Sequence, residues 1–145
     1  MKRAVLKLLM VLGASALALP GGIVRAADDG IKAVYHINEN TKANAALRNI
    51  RNHLDADPKA KIVVVTHSKG IDFLLEDAKA PNGAPFAATV AALKARGVDF
   101  RVCANTLKSR KISPDSVIPE ASIVPSGVAE VARLQAVEKY VYVKP

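Results

Sequence analysis

A three-layer α/β/α domain around a mostly parallel sheet is the fold class this sequence predicts, on three observations. Strand-like and helix-like stretches alternate along the chain, the pattern of β-α-β units. The run Ile62-Val63-Val64-Val65 is apolar at every position, so both of its sides must be covered, as in a parallel strand between helices. The connections are short and leave little room for hairpins, and strands joined through helices run in parallel.

Each element has its own signal. After a polar joint at 27–30, residues 32–37 read as a first strand and 38–40 as a loop. Residues 41–54 form an amphipathic helix: Ala43, Leu47, Ile50 and Leu54 recur at steps of four, three and four, with Arg48, Arg51 and Asn52 opposite. His53 falls on the exposed side of this helix, where only solvent is expected to meet it. Asp57-Pro58 stops the helix, because a residue before proline is pushed out of the helical region.

Residues 61–66 are the clearest strand, followed by the loop His67-Ser68-Lys69-Gly70 and a short apolar-acidic element over 71–78. Ala80-Pro81-Asn82-Gly83 is turn-like. A second helix spans 85–96 with Phe86, Val90 and Leu93 inward and Gly97 at its end. Val98, Phe100 and Val102 alternate with Asp99 and Arg101 in a third strand that ends at Cys103. Asn105 then reads as an N-cap, and 106–111 contains no helix breaker. Ser113-Pro114-Asp115 and Ile118-Pro119-Glu120 mark a broken passage. Residues 121–124 are a fourth strand, Ser126 caps a last helix over 127–139, and 140–143 form a fifth strand.

The first 26 residues stand apart from this domain of residues 27–145. Met1-Lys2-Arg3 is a positive n-region, 8–19 is apolar or small throughout, Pro20-Gly21-Gly22 breaks any helix, and Val24-Arg25-Ala26 offers a cleavage point. These are the marks of a secretory signal peptide, and the apolar run is short for a membrane span. An uncleaved N-terminal anchor is the alternative. A lipoprotein signal would need a cysteine at the cleavage point, and none is there. The expected location is the periplasm, with no stable membrane insertion once the signal is removed.

Cleavage removes Lys2, Arg3, Lys7 and Arg25 and no acid, so the formal charge falls from +8 to +4. With three Phe, three Tyr and no Trp there is little to stack on bases, which argues against nucleic acid as a partner.

The chemistry on offer narrows by elimination. Thr66-His67-Ser68-Lys69-Gly70 after a buried strand imitates a nucleophile elbow. The first glycine of that motif is Thr66 here, however, and His36, His53 and His67 all precede Ser68, so no later histidine can serve as base. One cysteine and three histidines without paired spacing predict no metal site. The glycine patterns of dinucleotide and P-loop sites are missing, and no cofactor is predicted. A lone cysteine without a C-x-x-C partner also excludes a self-contained dithiol oxidoreductase.

What remains is single-thiol chemistry at Cys103, which in an oxidising compartment has no partner within its own chain. A thiol where a strand passes into a helix meets unpaired N–H groups and the positive end of the helix dipole. Both favour the thiolate, the nucleophilic form. Arg101, Lys108, Arg110 and Lys111 add positive charge nearby. Reactive groups in such folds collect at the C-terminal ends of strands. These ends carry Asn38 and Glu39, His67 to Lys69, Cys103 to Thr106, and Pro125 to Gly127. Cys103 is therefore the expected nucleophile and His67 its expected ion-pair or general-base partner. Lys69, Asn105 and Thr106 complete the expected binding residues. Against this stands a plainer reading, with Cys103 a packed core residue.

Val63-Val64-Val65-Thr66-His67-Ser68-Lys69-Gly70, then Val102-Cys103-Ala104-Asn105-Thr106-Leu107, then Ile123-Val124-Pro125-Ser126-Gly127-Val128 and the ending Tyr140-Val141-Tyr142-Val143-Lys144-Pro145 resemble the DsrE/DsrF-like (YchN-like) family of sulfur-relay proteins. The likeness runs from about residue 31 to the end. It implies a five-stranded parallel sheet between helices and assembly as a homotrimer or homohexamer. It also implies a persulfide-carrying cysteine, which would be Cys103. The partners would be a small sulfur donor or a partner thiol protein. The signal peptide is a departure from the cytoplasmic relays of that family, so their substrates do not carry over. Three functions follow as expectations: an exported sulfur carrier or sulfurtransferase-like protein, a non-catalytic oligomeric binding or scaffold domain, or a thiol that senses oxidation by an intermolecular disulfide.

Overall fold

The computed structural model of the protein describes residues 30–145, so the segment read as a signal peptide lies outside the described residues. Five strands form one sheet: β1 (Lys32–Ile37), β2 (Lys61–Thr66), β3 (Asp99–Cys103), β4 (Ala121–Val124) and β5 (Val141–Val143). Their order is β4-β3-β2-β1-β5, and every neighbouring pair is parallel. Four α-helices accompany them: α1 (Ala43–Ala56), α2 (Phe86–Ala95), α3 (Ala104–Arg110) and α4 (Gly127–Ala136).

The period-two rule assigns each strand residue to a face. On one face Tyr35, Ile37, Ile62, Val64, Phe100 and Val102 meet Leu47, Ile50 and Leu54 of α1, Phe86, Val90 and Leu93 of α2, and Leu107 of α3 in one apolar core. On the other face Val34, Val63 and Val65 pack only against Val131 and Leu134 of α4, with half-buried Tyr140 at the margin. The chain leaving β3 therefore turns to the first face and the chain leaving β4 to the second. Where neighbouring strands send their continuations to opposite sides, a crevice opens at their C-terminal ends. Cys103 lies at that crevice.

Several boundaries differ from those read in the sequence, for local reasons. A 3₁₀ turn at Asn40–Lys42 precedes α1. The segment after β2 is a 3₁₀ stretch, Ser68–Leu74, that starts inside the expected loop. Gly70 explains the tight path: a Cβ there would stand 2.1 Å from the Ile37 carbonyl oxygen. The last helix stops at Ala136, and residues 137–139 form the turn into β5, with Lys139 at φ 63°. Asn105 is not an N-cap. Cys103 itself holds the extended conformation (φ −73°, ψ 116°) from which α3 springs, and Asn105 falls in the first turn. His53 is not merely solvated, since its Nδ1 shares a hydrogen bond with the Tyr35 hydroxyl at 3.0 Å.

Candidate functional site

Cys103 ends β3 on the face covered by α4, two residues beyond Arg101 and out of phase with buried Phe100 and Val102. It is 5 % exposed, so little of it reaches solvent. What surrounds the sulfur is polar backbone. The start of α3 brings the N–H groups of Asn105 and Thr106 towards it, and the start of α4 brings that of Gly127. The Thr106 hydroxyl also faces it. Burial pushes the thiol up, but these donors outweigh burial and hold Cys103 below the ordinary range of a thiol. The sulfur sits at the capping position of α3 and closes no side-chain capping hydrogen bond there. Its donors come from two helix starts and not from one cap.

Gly127 makes this convergence possible. A Cβ at this position would lie 3.2 Å from Cys103 Cβ, 3.2 Å from the Thr66 carbonyl oxygen and 3.3 Å from His67 Cβ. Glycine lets α4 begin this close to the thiol without those neighbours having to give way. Ser126 fixes that beginning, since its hydroxyl accepts from the Ala129 N–H at 3.4 Å. A second tie comes from Asn105, whose N–H donates to the Pro125 carbonyl at 3.3 Å and so links the two helix starts.

The expected cationic neighbours are not at the sulfur. Arg101 spans from Asp99 (2.9 Å) to Glu130 on α4, where Arg133 is also bonded. Arg110 donates to the Ser68 carbonyl at 3.0 Å and pairs with Asp72 at 2.5 Å. Lys108 and Lys111 are exposed at the far end of α3, where positive charge suits the helix C-terminus. The thiol is polarised by amides and a hydroxyl, not by side-chain charge.

His67 does lie beside Cys103. β2 and β3 pair up to Thr66↔Val102, and one step further the histidine and the cysteine stand on adjacent strands. Their nearness follows from geometry, because both Cβ atoms flank Gly127. The ring, however, turns to the opposite neighbour. His67 Nε2 meets His36 Nε2 at 2.6 Å, and His67 Nδ1 meets Ser68 Oγ at 2.9 Å. His36, on β1, meets the Tyr142 hydroxyl of β5 through Nδ1 at 2.7 Å. Burial, then the charges of His67 and Lys144, push His36 down to about 4. Burial and Lys144 lower His67 as well, so both rings are neutral at neutral pH.

Thr106 is buried and ties the two loops together: its Oγ1 accepts from the Ser68 N–H at 3.0 Å. Ser68 holds this bond in the left-handed region at φ 53°, a strained conformation for a residue with a Cβ. Asn105 contributes its backbone, and its side chain is exposed. Lys69 is not brought to the sulfur. It is exposed and lines a hollow with Glu39, Asn40 and Thr41. Among the described residues no three His, Cys, Asp or Glu side chains converge to hold a metal ion.

Sequence reasoning missed His36 and Tyr142. Period two does place His36 on the same face as Val34, but bringing it to His67 requires knowing that β1 and β2 are neighbours. Tyr142 depends on β5 returning to the far side of β1, for which the sequence carries no local signal.

Comparison with known proteins follows the same lines. A model of the DsrE/DsrF-like family matches residues 31–145. Among solved structures, the protein of unknown function MTH1491 from Methanobacterium thermoautotrophicum is similar at 28 % identity and a TM-score of 0.71, over 79 % of this chain and 99 % of that one. The ychN protein from E. coli has the same fold at 17 % identity and a TM-score of 0.62, over 78 % of this chain and 99 % of its own. No curated protein matches.

Proposed function

The chain belongs to the DsrE/DsrF-like family, and on that footing we propose that it is an exported sulfur carrier which holds sulfane sulfur on Cys103 and passes it to a partner thiol. The family's association with sulfur relay supports the substrate class. One observation carries the choice of residue: the amides of Asn105, Thr106 and Gly127 converge on a sulfur at the crevice between β3 and β4. A thiolate held this way attacks the outer sulfur of a persulfide donor, RSSH. The new bond joins Cys103 Sγ to that sulfur, the donor's S–S bond breaks, and RSH leaves. Cys103–SH and RSSH become Cys103–SSH and RSH, with no net oxidation. The same step in reverse loads the acceptor.

Export is supported by the positive n-region and apolar run of residues 1–26, and an exported chain would carry out this exchange in the periplasm. Assembly as a homotrimer or homohexamer is supported by the family likeness. Exposed Ile123, Val128, Val137 and Val141 offer apolar surface to a second copy. The donor is a small persulfide or polysulfide, or a partner thiol protein.

Incubating the mature chain with inorganic polysulfide tests the reading by intact mass. One added sulfur atom is expected, absent in Cys103→Ser. An unmodified Cys103, under conditions that load a control carrier, contradicts it. The small exposure of Cys103 favours one other reading, a non-catalytic scaffold domain with a packed cysteine. That reading expects slow alkylation and a Cys103→Ser chain with unchanged assembly and effect.

A further inference from the structure

We infer that Tyr142, His36, His67 and Ser68 form a proton relay, which carries protons between solvent and the thiol crevice during sulfur exchange at Cys103. This rests on the sulfur-carrier reading and adds to it a second group of working side chains, none of which bonds to the thiol itself.

The observations are geometric. The four side chains are joined by three successive hydrogen bonds of 2.7, 2.6 and 2.9 Å. The chain runs from half-exposed Tyr142 on the edge strand β5, across β1, to the loop after β2 that abuts Cys103. The bond between two Nε2 atoms needs one N–H and one lone pair, so the two neutral rings hold opposite tautomers. Two arrangements satisfy every bond. In one, Tyr142 donates to His36, His36 to His67, and His67 to Ser68. In the other, each donation is reversed. Passing between them moves one proton along the line, and the reverse passage restores both rings to their first tautomers.

A purely structural reason for the pair is weak. Two imidazoles placed ring to ring on a sheet face repel whenever both take up protons, and an aliphatic pair would pack there without that cost. Ser68, at one end, holds a strained backbone whose N–H serves Thr106, which in turn faces the sulfur. The titratable groups that face the rings are few. Lys144 and Tyr142 approach from β5 and the tail, and Cys103 lies across Gly127. The acid of α4, Glu130, is held by Arg101 and Arg133.

In the exchange the thiol proton leaves Cys103, and one proton is returned to the departing RS⁻. The relay takes up the first at its exposed Ser68 end and supplies the second there, with Tyr142, likewise exposed, at the other end. His67, His36 and Tyr142 thus act through proton supply and leave thiolate formation to the amides.

The test compares two rates from pH 5 to 9 in wild type, Tyr142→Phe and His36→Gln. Loading from glutathione persulfide needs proton delivery to a leaving thiolate, whereas alkylation by iodoacetamide needs only the thiolate. Both variants are expected to load about 10-fold slower with a changed pH profile, less than the roughly 100-fold or more of a group that transfers the proton directly, while alkylating within about twofold of wild type. ¹⁵N spectra of the wild-type rings should show opposite neutral tautomers. Loading at the wild-type rate in both variants overturns the relay, as do equal losses in loading and alkylation or identical tautomers. A wild-type chain that does not load at all overturns the sulfur reading beneath it.

Discussion

The two faces of the sheet divide the work of this molecule. The face under α1, α2 and α3 is closed: Ile37, Ile50, Phe73, Leu74 and Phe100 are fully buried, and aliphatic and aromatic groups fill it. The face under α4 is aliphatic only around Val34, Val63 and Val65. Towards the C-terminal ends of the same strands it changes to His36, His67, Arg101 and Cys103. Apolar burial is concentrated on the first face, and polar groups are collected on the second, where one helix leaves room. Each polar group on the second face is satisfied, since no buried side-chain nitrogen or oxygen among the described residues is left without a partner.

Substitutions on the two faces sharpen this contrast, and the largest effect falls on the closed one. Phe100→Ala is expected to cost about 3–5 kcal/mol in urea unfolding, because a fully buried ring leaves a cavity. On the open face, Arg101→Ala should cost about 1–3 kcal/mol. It leaves Asp99 without its guanidinium partner and Glu130 with Arg133 alone. A pH titration of stability comes next. His36 binds a proton more weakly in the folded chain (about 4) than in the unfolded one (6.5), so protons favour the unfolded state. Stability is complete above about 6.5 and declines as pH falls towards 4, by about 1–2 kcal/mol for this half-exposed ring. His36→Gln should flatten that part of the profile, and an unchanged profile would show that the ring is not held neutral by the fold. Gly127→Ala should have the smallest effect on stability, under about 1 kcal/mol if the neighbours yield a few tenths of an ångström. It should still slow Cys103 alkylation several-fold by pushing the α4 amide away. Lys108→Ala with Lys111→Ala should leave the thiol's titration unchanged, and a clear shift would restore side-chain charge as its cause.

The sequence made one face far more legible than the other. The apolar run 62–65, the helical spacing of Leu47, Ile50 and Leu54, and the alternation around Phe100 all describe local periodicity, which burial enforces residue by residue. Cys103, His67 and Thr106 could be placed at one edge because they follow strands directly. The amide cage could not, because it needs the start of α4 to reach across from β4, and Gly127 gives no sign in the sequence of what it approaches. The cationic neighbours misled for a related reason. Arg101 and Arg110 are near Cys103 along the chain, but strand alternation and helix rotation carry their side chains to Glu130 and Asp72.

The alkylation rate of Cys103 measured against pH tests most directly whether backbone donors hold this sulfur ionised. A single titration with its midpoint clearly below the ~8.5 of a free thiol is expected, moving upward in Gly127→Ala. A midpoint at or above that value in the wild-type chain, or one that Gly127→Ala leaves in place, would contradict the amide cage as the source of reactivity.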